Sequence, residues 1–117
     1  MSTQPEPDVQ ASIDDVFHIL SNSRRRWTIE HIATLDESES LNLRELSKHI
    51  AGIETDKQPA NVSNKEYKRV YVSLKQTHLE KLAEVDAVEY DGYKIKSGEN
   101  APALAYWLTV LRQGVDS

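Results

Sequence analysis

The hydrophobic pattern of the chain changes its period within residues 64–96, and this change constrains the fold more than any other feature of the sequence. Up to about residue 84, large side chains recur every three or four positions, as they do on one face of an α-helix. This face consists of Tyr67, Val70, Tyr71, Leu74, His78 and Leu82, with Leu79 at its rim. From residue 88 the large side chains alternate on either side of Asp91-Gly92, which is a strong signal for a β-hairpin. The stretch therefore predicts a long helix followed by a two-stranded hairpin.

Helical spacing also predicts three helices before this stretch and one after it. Their expected ranges are about 13–21, 24–35, 43–51 and 101–113. Asn42 and Ser63 stand before the third and fourth helices, each with a Glu three residues later, which is the capping-box pattern. Gly52 stands where the third helix would use a left-handed residue to end.

The order of these elements predicts the fold class. It is mainly α with a small β-hairpin wing, that is, a winged helix-turn-helix with an additional C-terminal helix. In such a fold the second helix of the pair enters the major groove of DNA, and the hairpin lies over the adjacent backbone. We divide the chain accordingly into a flexible N-terminal tail at 1–11, a winged-helix domain at 12–98 and a dimerisation helix at 99–117.

The composition excludes several classes of function. The chain has 117 residues, enough for one domain, and no cysteine, which removes disulfides, thiolate metal sites and thiol catalysis. Its four histidines include no His-x₃-His pair, and no nucleophile–base grouping or phosphate-binding glycine loop is visible. We therefore predict no metal, no cofactor and no enzyme. No segment is apolar enough to cross a membrane and no secretory leader is visible, so we expect a cytoplasmic protein.

Positive charge is concentrated in the long helix. The chain as a whole is acidic, with 14 Lys and Arg against 19 Asp and Glu and a net charge of −5. The side of the long helix opposite its apolar face is nevertheless positive through its first three turns, where a recognition helix reaches base edges. We predict that the residues contacting DNA are Asn64, Lys65, Lys68, Arg69, Ser73 and Gln76 of this helix, Lys94 and Lys96 of the hairpin, and Arg24.

The side chains on this face suit the recognition of bases. Arg and Lys donate hydrogen bonds to O6 and N7 of guanine, and Gln bonds adenine through two contacts. Arg24 is the first of three successive arginines, of which we expect at least one to contact phosphate. Arg44 and Lys48 of the third helix are further candidates for contacts to the DNA backbone.

Two other interpretations of the basic face stay open. Basic residues on an exposed helix face are often only solvated. A winged helix can also be a protein–protein interaction module without DNA binding, whose basic face meets an acidic partner. Charge reversal at Arg69 distinguishes these interpretations, because it removes DNA binding only if this face contacts DNA.

The C-terminal helix is too apolar for a helix that is free on the surface. Its stripe, together with Val16 of the first helix, predicts a homodimer interface. The residues of the stripe are Leu104, Trp107, Leu108 and Leu111. A two-fold dimer would place two recognition helices about one DNA turn apart, roughly 34 Å. The alternative is that this helix packs on its own domain beside the first helix.

Three stretches of the chain resemble a known family. They are FHILSNSRRRWTIEHI, LRELSKHIAG and KRVYVSLKQTHLEKLAEVDAVEYD, and they resemble the small winged-helix transcription regulators of halophilic archaea. THLEKLAEVDAVEYD is also similar to the recognition-helix ending of the wider ArsR-like class. The chain differs from that class at Asp86, where Gly is usual, and lacks the cysteines of its metal sensors. The resemblance therefore implies no metal-sensing role.

The resemblance implies a homodimeric, sequence-specific regulator that binds double-stranded DNA, in a family with members in the oxidative-stress response. It also accounts for the acidity, because proteins of cytoplasm at molar KCl carry an excess of Asp and Glu. At such salt the gain from releasing counterions is largely lost. We therefore expect bound salt ions near acids such as Glu80 and Glu89. With Met1 as the only sulfur-containing residue, we expect no peroxide sensing through sulfur.

Overall fold

The structure, a computed structural model, describes the backbone of residues 9–116 and the side chains of residues 14–113. Within this range the helices are α1 Val9–Leu20, α2 Ser23–Ile32, α3 Leu43–Thr55, α4 Asn64–Ser73, α5 Leu79–Glu84 and α6 Ala101–Asp116. The strands are β1 Leu41–Asn42, β2 Val88–Asp91 and β3 Lys94–Ser97. A mainly helical fold with a small antiparallel sheet and a C-terminal helix is thus confirmed, and it is compatible with a wing. Of the predicted tail, residues 1–8 lie outside the described residues, and α1 already begins at Val9.

Asparagine and serine side chains begin three of the helices. Asn22 accepts hydrogen bonds from the N–H groups of the first turn of α2, at 2.9 and 3.2 Å. Asn42 accepts one from the N–H of Arg44 at 2.8 Å, which confirms it as the cap of α3, but no described bond from Glu45 completes the capping box predicted there. The capping box predicted at α4 is complete: Ser63 accepts from the N–H of Glu66, and Glu66 accepts from the N–H of Ser63. These bonds satisfy N–H groups that a helix start leaves without intrahelical partners.

The prediction that α3 ends at Gly52 is wrong. The helix continues to Thr55, and Asp56 takes the left-handed conformation with φ of 57°. The N–H of Lys57 then returns to the carbonyl of Gly52 at 2.9 Å, in the pattern of a Schellman motif. A Cβ at position 52 would lie 2.7 Å from the Lys57 carbonyl oxygen. Gly52 is therefore needed for the close approach of the returning chain, and not for the helix end.

The long helix predicted over 64–84 is present, but it contains one π turn, Leu74–His78, between α4 and α5. The N–H of Leu79 donates to the carbonyl of Leu74, five residues earlier instead of four. In a regular α-helix Leu79 would lie on the same side as Val72, seven residues before it. The π turn rotates Leu79 into the core, where it is 1% exposed, whereas Val72 is 46% exposed. The prediction of Leu79 at the rim of the apolar face is therefore corrected.

The predicted hairpin is one part of a three-stranded antiparallel sheet with strand order β1-β3-β2. Leu41 pairs with Ile95 and Asn42 with Lys94, so a strand of two residues joins the hairpin directly before α3. The register of β2 and β3 leaves Gly92 and Tyr93 as the two-residue turn. Gly92 has a φ of +62°, as the first position of a type II′ hairpin turn requires.

The core lies between the helices and the inner face of the sheet. Its buried side chains come from all six helices, from the π turn and from β2 and β3, and they include Ile29, Leu46, Leu74 and Ile95, each 0% exposed. Asp86, at φ of 59°, connects α5 to β2, and its carbonyl accepts the N–H of Asn100 at 2.8 Å before α6. No helix among the described residues combines the length and the apolar character that a membrane span needs.

Candidate nucleic-acid interface

The basic face predicted on the long helix lies on the surface. We define it as Asn64, Lys65, Lys68, Arg69, Ser73 and Gln76, of which only Ser73 is half-buried and the others are exposed. Among the side chains that the structure describes, no carboxylate lies within ion-pair distance of Lys65, Lys68 or Arg69. The basic face therefore presents uncompensated positive charge in a chain whose net charge is −5.

The single carboxylate of α4 is directed away from this face by the helix cap. Glu66 accepts from the N–H of Ser63 at 2.8 Å and from the ammonium group of Lys57 at 2.9 and 3.0 Å. Two contacts hold the pKa of Glu66 below its usual value. The hydrogen bond from the Ser63 N–H has the larger effect, and the bond from Lys57 has the smaller one. The capping box thus engages the only carboxylate of α4, which stands three residues before Arg69.

A row of tyrosines and cations connects α3, α4 and the hairpin turn. Arg44 and Lys48 of α3 each lie 5.8 Å from the ring centre of Tyr67, and this ring lies 5.6 Å from that of Tyr71. The Lys75 ammonium lies 5.9 Å from the Tyr71 ring and 5.6 Å from the Tyr93 ring of the turn. These distances are within the range of cation–π attraction. We name Arg44, Lys48, Tyr67, Tyr71, Lys75 and Tyr93 the tyrosine–cation row.

Sequence reasoning missed most of this row. It assigned Tyr67 and Tyr71 to the core, but both are half-buried, and it gave Lys75 no role. The signal was present in the spacing, because Tyr67, Tyr71 and Lys75 follow each other at four-residue intervals on one flank of the helix. The row extends the basic face across three elements, and no ion pair joins its cations to a described carboxylate.

The two hairpin lysines are exposed, but each lies opposite a carboxylate. The register pairs Lys94 with Asp91 and Lys96 with Glu89. Together with the loop before β1, these side chains line an open groove of about 480 Å³ on the outer face of the sheet. The hairpin thus carries both signs of charge, and not the purely basic edge that its second strand alone predicts.

All three successive arginines at the start of α2 bind protein groups, and the two outer ones do so near the surface. Arg24 donates to the carboxylate of Glu54 at 2.5 and 3.0 Å, which links α2 to α3 and raises the pKa of Arg24. Arg26 donates to the carbonyl of Leu20 at 2.7 Å, at the end of α1. Because its guanidinium is already held by Glu54, Arg24 fits an interhelical contact better than the predicted contact with DNA.

The middle arginine, Arg25, forms a buried pair with His78, which the helical spacing places on the apolar face of the long helix. Arg25 is 5% exposed and His78 6%. Arg25 Nη1 lies 3.2 Å from His78 Nδ1. A guanidinium has no acceptor, so Nδ1 must accept, and the imidazole is neutral with its proton on Nε2. The pKa of His78 is lowered to about 4, mainly because the ring is buried and secondly because the positive charge of Arg25 is close.

The Arg25–His78 pair predicts that stability falls in mild acid. The neutral imidazole belongs to the folded state, and the unfolded chain binds its proton near pH 6.5. Unfolding therefore takes up a proton between pH 6.5 and 4, and the free energy of unfolding decreases across this window as pH falls. We expect a loss of about 3 kcal/mol, since one pKa unit corresponds to about 1.4 kcal/mol. Urea unfolding at constant KCl checks it. The variant His78→Asn, which has no titrating ring, should lose clearly less than the unaltered chain, and an equal loss in both would contradict the assignment.

The residues predicted for a dimer interface divide into two groups. Leu104 and Leu108 are 5% and 4% exposed within the single chain, where α6 packs against α2. Their side chains are therefore part of the chain's own core and not available to a second copy. Trp107 is 46% exposed, and Val16 and Leu111 are half-buried. Sequence reasoning missed Phe17 and Tyr106, which are 56% and 65% exposed on α1 and α6.

Residues 17–94 match the family described as Domain of unknown function (DUF7344). The match covers two thirds of the chain and includes the basic face and the tyrosine–cation row, whereas α6 lies beyond it. No curated protein and no solved structure matches the chain. The chain therefore belongs to the DUF7344 family.

Proposed function

We propose that the chain is a winged helix-turn-helix transcription regulator that binds double-stranded DNA as a homodimer and catalyses no reaction. The observation that carries the proposal is the charge distribution around α4. Six of the 14 basic residues lie on α3, α4 and the π turn, and none of them is in an ion pair with a described carboxylate. These residues are Arg44, Lys48, Lys65, Lys68, Arg69 and Lys75. Phosphate binding requires such a surface, whatever the total charge.

In this proposal, α3 and α4 form the helix-turn-helix pair. The N-terminal turns of α4 enter the major groove, where Arg69 and Gln76 are suited to bond guanine and adenine edges. Arg44 and Lys48, at the edge of the pair, contact the sugar-phosphate backbone. Tyr93 and Lys75 hold the turn of the hairpin against the helix, so the hairpin and α4 approach the duplex as one unit.

We expect the helix and the hairpin to affect DNA binding in different ways. Gln76→Ala should change the preferred bases, because an amide reads base edges and each good contact discriminates by about 1–3 kcal/mol. Lys94→Ala and Lys96→Ala should weaken binding to all sequences alike by a few-fold, since lysines near phosphate carry no base information. Competition titrations with matched duplexes measure both effects. A change of base preference in the lysine variants would assign the hairpin a reading role instead.

The homodimer is proposed on the exposed aromatic side chains of α1 and α6. Phe17, Tyr106 and Trp107 are 56%, 65% and 46% exposed, and aromatic side chains are enriched at protein–protein interfaces. We expect Trp107→Glu to weaken self-association by at least about tenfold, because large aromatic residues dominate the energy of interfaces. Sedimentation equilibrium measures this shift. A dimer of unchanged strength in Trp107→Glu would place the interface elsewhere.

The proposed setting is the oxidative-stress response of a halophilic archaeon, with salt cations retained near Glu80 and Glu89, both exposed. The test of DNA binding is therefore made at high salt: duplexes are selected from a random pool at molar KCl, and the recovered duplex is titrated over a range of KCl concentrations. The proposal expects recovery of a defined motif, with affinity that declines only weakly up to molar KCl. Recovery of no motif would contradict DNA binding, and a steep loss of affinity would contradict the retained cations.

A further inference from the structure

Arg25 is a buried charge, and no carboxylate among the described side chains lies within ion-pair distance of it. Burying a guanidinium costs free energy unless its donors are satisfied. Its Nε donates to the carbonyl of Ile19 and its Nη2 to the carbonyl of His18, both at 2.9 Å. These carbonyls belong to the last turn of α1, where the helix dipole is negative. The charge is therefore balanced by the end of a helix instead of a carboxylate.

The remaining contact of Arg25 reaches a different helix. Its Nη1 bonds His78, the last residue of the π turn. That turn is where the long helix departs from α geometry, and Leu79 next to His78 enters the core only because of it. A π turn inside an α-helix is often found at a functional site. Arg25 thus links the end of α1 to the π turn, and the π turn sets the rotation of α4 relative to α5.

The basic face lies on the N-terminal side of His78, mostly on α4. If the π turn relaxed to α geometry, one end of the helix would rotate against the other by roughly 100°, which is the angle of one residue. With Leu79 and Leu82 held in the core, the rotation would fall on α4 and the basic face. The orientation of that face relative to α1 therefore depends on the bond that holds His78.

We infer that Arg25 is a positioning residue for DNA binding: acting through His78, it fixes the π turn and so holds the basic face of α4 at a set orientation to α1. This inference rests on the proposed DNA-binding function. Arg25 itself is buried, at 5% exposed, and is not part of the basic face. It would act on binding only through the geometry of the long helix.

Arg26 supplies a matched control. It is the next residue in α2 and also donates to a carbonyl at the end of α1, that of Leu20, at 2.7 Å. Arg26 has no hydrogen bond to the long helix among the described contacts. A variant at Arg26 therefore disturbs the end of α1 without breaking the link to the π turn.

The experiment compares four variants in the full chain, Arg25→Lys, His78→Leu, His78→Asn and Arg26→Lys, at a temperature where circular dichroism shows each to be folded. Lysine carries its donors on a single nitrogen and lacks the planar fork by which Nε, Nη1 and Nη2 reach three separate acceptors. Leucine removes the acceptor for Nη1, whereas the amide oxygen of asparagine can replace Nδ1. We expect duplex DNA affinity to fall by about tenfold or more in Arg25→Lys and His78→Leu, as for a coupling between distant groups. His78→Asn and Arg26→Lys should stay within about twofold of the unaltered chain.

A second readout reports on the π turn without DNA. In ¹⁵N NMR spectra at neutral pH, His78 should show the neutral form with its proton on Nε2, and amide exchange at residues 75–79 should accelerate in Arg25→Lys and His78→Leu only. Should a variant fail to fold, the pair His78→Leu and His78→Asn decides. Unchanged affinity in folded His78→Leu, or an equal loss in Arg26→Lys, overturns the inference alone. If the unaltered chain binds no duplex, the proposed function and this inference both fail.

Discussion

Replacing Arg69 by Glu lowers the affinity for duplex DNA by at least about 100-fold while the fold is unchanged. Arg69 is exposed in the middle of the basic face and has no ion pair with a described carboxylate, so the substitution disturbs no internal contact seen in the structure. A lost bidentate contact to a base costs about 1–3 kcal/mol. The introduced carboxylate adds repulsion from phosphate to this loss. Fluorescence anisotropy with the selected duplex measures the affinity, and thermal unfolding confirms the fold.

The matched control is Arg112→Glu, which makes the same change of charge on α6. Arg112 pairs with Glu30 at the surface, and exposed pairs of this kind contribute about 0–1 kcal/mol to stability. Its affinity for DNA should therefore stay close to that of the unaltered chain. If Arg69→Glu binds DNA as well as Arg112→Glu does, the basic face serves another partner. A protein–protein module that recognises an acidic protein would then be the better interpretation.

Replacing Leu79 by Ala destabilises the fold by about 3 kcal/mol. Leu79 is 1% exposed, and truncating a buried leucine typically costs 2–5 kcal/mol through lost burial and the cavity that remains. This expectation depends on the π turn, because in a regular α-helix the same side chain would point toward solvent. Chemical denaturation followed by circular dichroism gives the free energy of unfolding.

Val72→Ala is the control for this prediction. Val72 lies seven residues before Leu79 and would share its side of the helix if no π turn intervened. Because Val72 is 46% exposed, its truncation should change stability by no more than about 0.5 kcal/mol. Equal effects of Leu79→Ala and Val72→Ala would show that the helix is regular and that the π turn is absent in solution.

Local signals were sufficient to predict most of the elements. The Asn42 cap, the Ser63–Glu66 capping box and the hairpin signal at Asp91-Gly92 each act within four residues. The cap, the box and the hairpin are present in the structure, with the hairpin turn one residue further on, at Gly92-Tyr93. The helical spacing of apolar residues also predicted the long helix over its full extent. Such features are encoded by neighbouring residues, so a single sequence is enough to find them.

Features that depend on contacts between distant residues could not be predicted. The strand Leu41–Asn42 has only two residues, too few to show an alternation, and it exists because β3 lies beside it. Glycine is common where helices end, and this suggested a helix end at Gly52. The structure instead requires glycine there because the returning chain at Lys57 leaves no room for a Cβ. The π turn differs from these features, because the sequence contains a signal for it. Leu74 and Leu79 are both large and apolar but are five residues apart, which is the spacing of a π turn and not the three or four residues of neighbours on an α-helical face.

The candidate site was predicted in part. The basic face follows from helical geometry, which a sequence displays directly. The arginines of α2 do not, because the partners of Arg24 and Arg25 lie 30 and 53 residues away, at Glu54 and His78. Leu104 and Leu108 were predicted to lie in a dimer interface because they belong to an apolar stripe. A sequence shows that such a stripe must be covered, but not whether the chain itself or a second copy covers it.

The charge of the chain illustrates why arrangement matters more than totals. A net charge of −5 argues against a nucleic-acid partner when it is averaged over the surface. The structure separates the charges instead: Glu66 is held by the helix cap, Glu54 by Arg24 and Glu30 by Arg112. The cations of the basic face and the tyrosine–cation row stay unpaired with any of these acids.

The most direct test of the central claim, that the basic face of α4 binds duplex DNA, is a hydroxyl-radical footprint of the selected duplex at molar KCl, made with the unaltered chain and with Arg69→Glu. The account predicts two protected segments on one side of the duplex, about one helical turn apart, as for a two-fold dimer. It also predicts that Arg69→Glu gives no protection at the same protein concentration. Protection that persists in Arg69→Glu, or no protection with the unaltered chain, would contradict it.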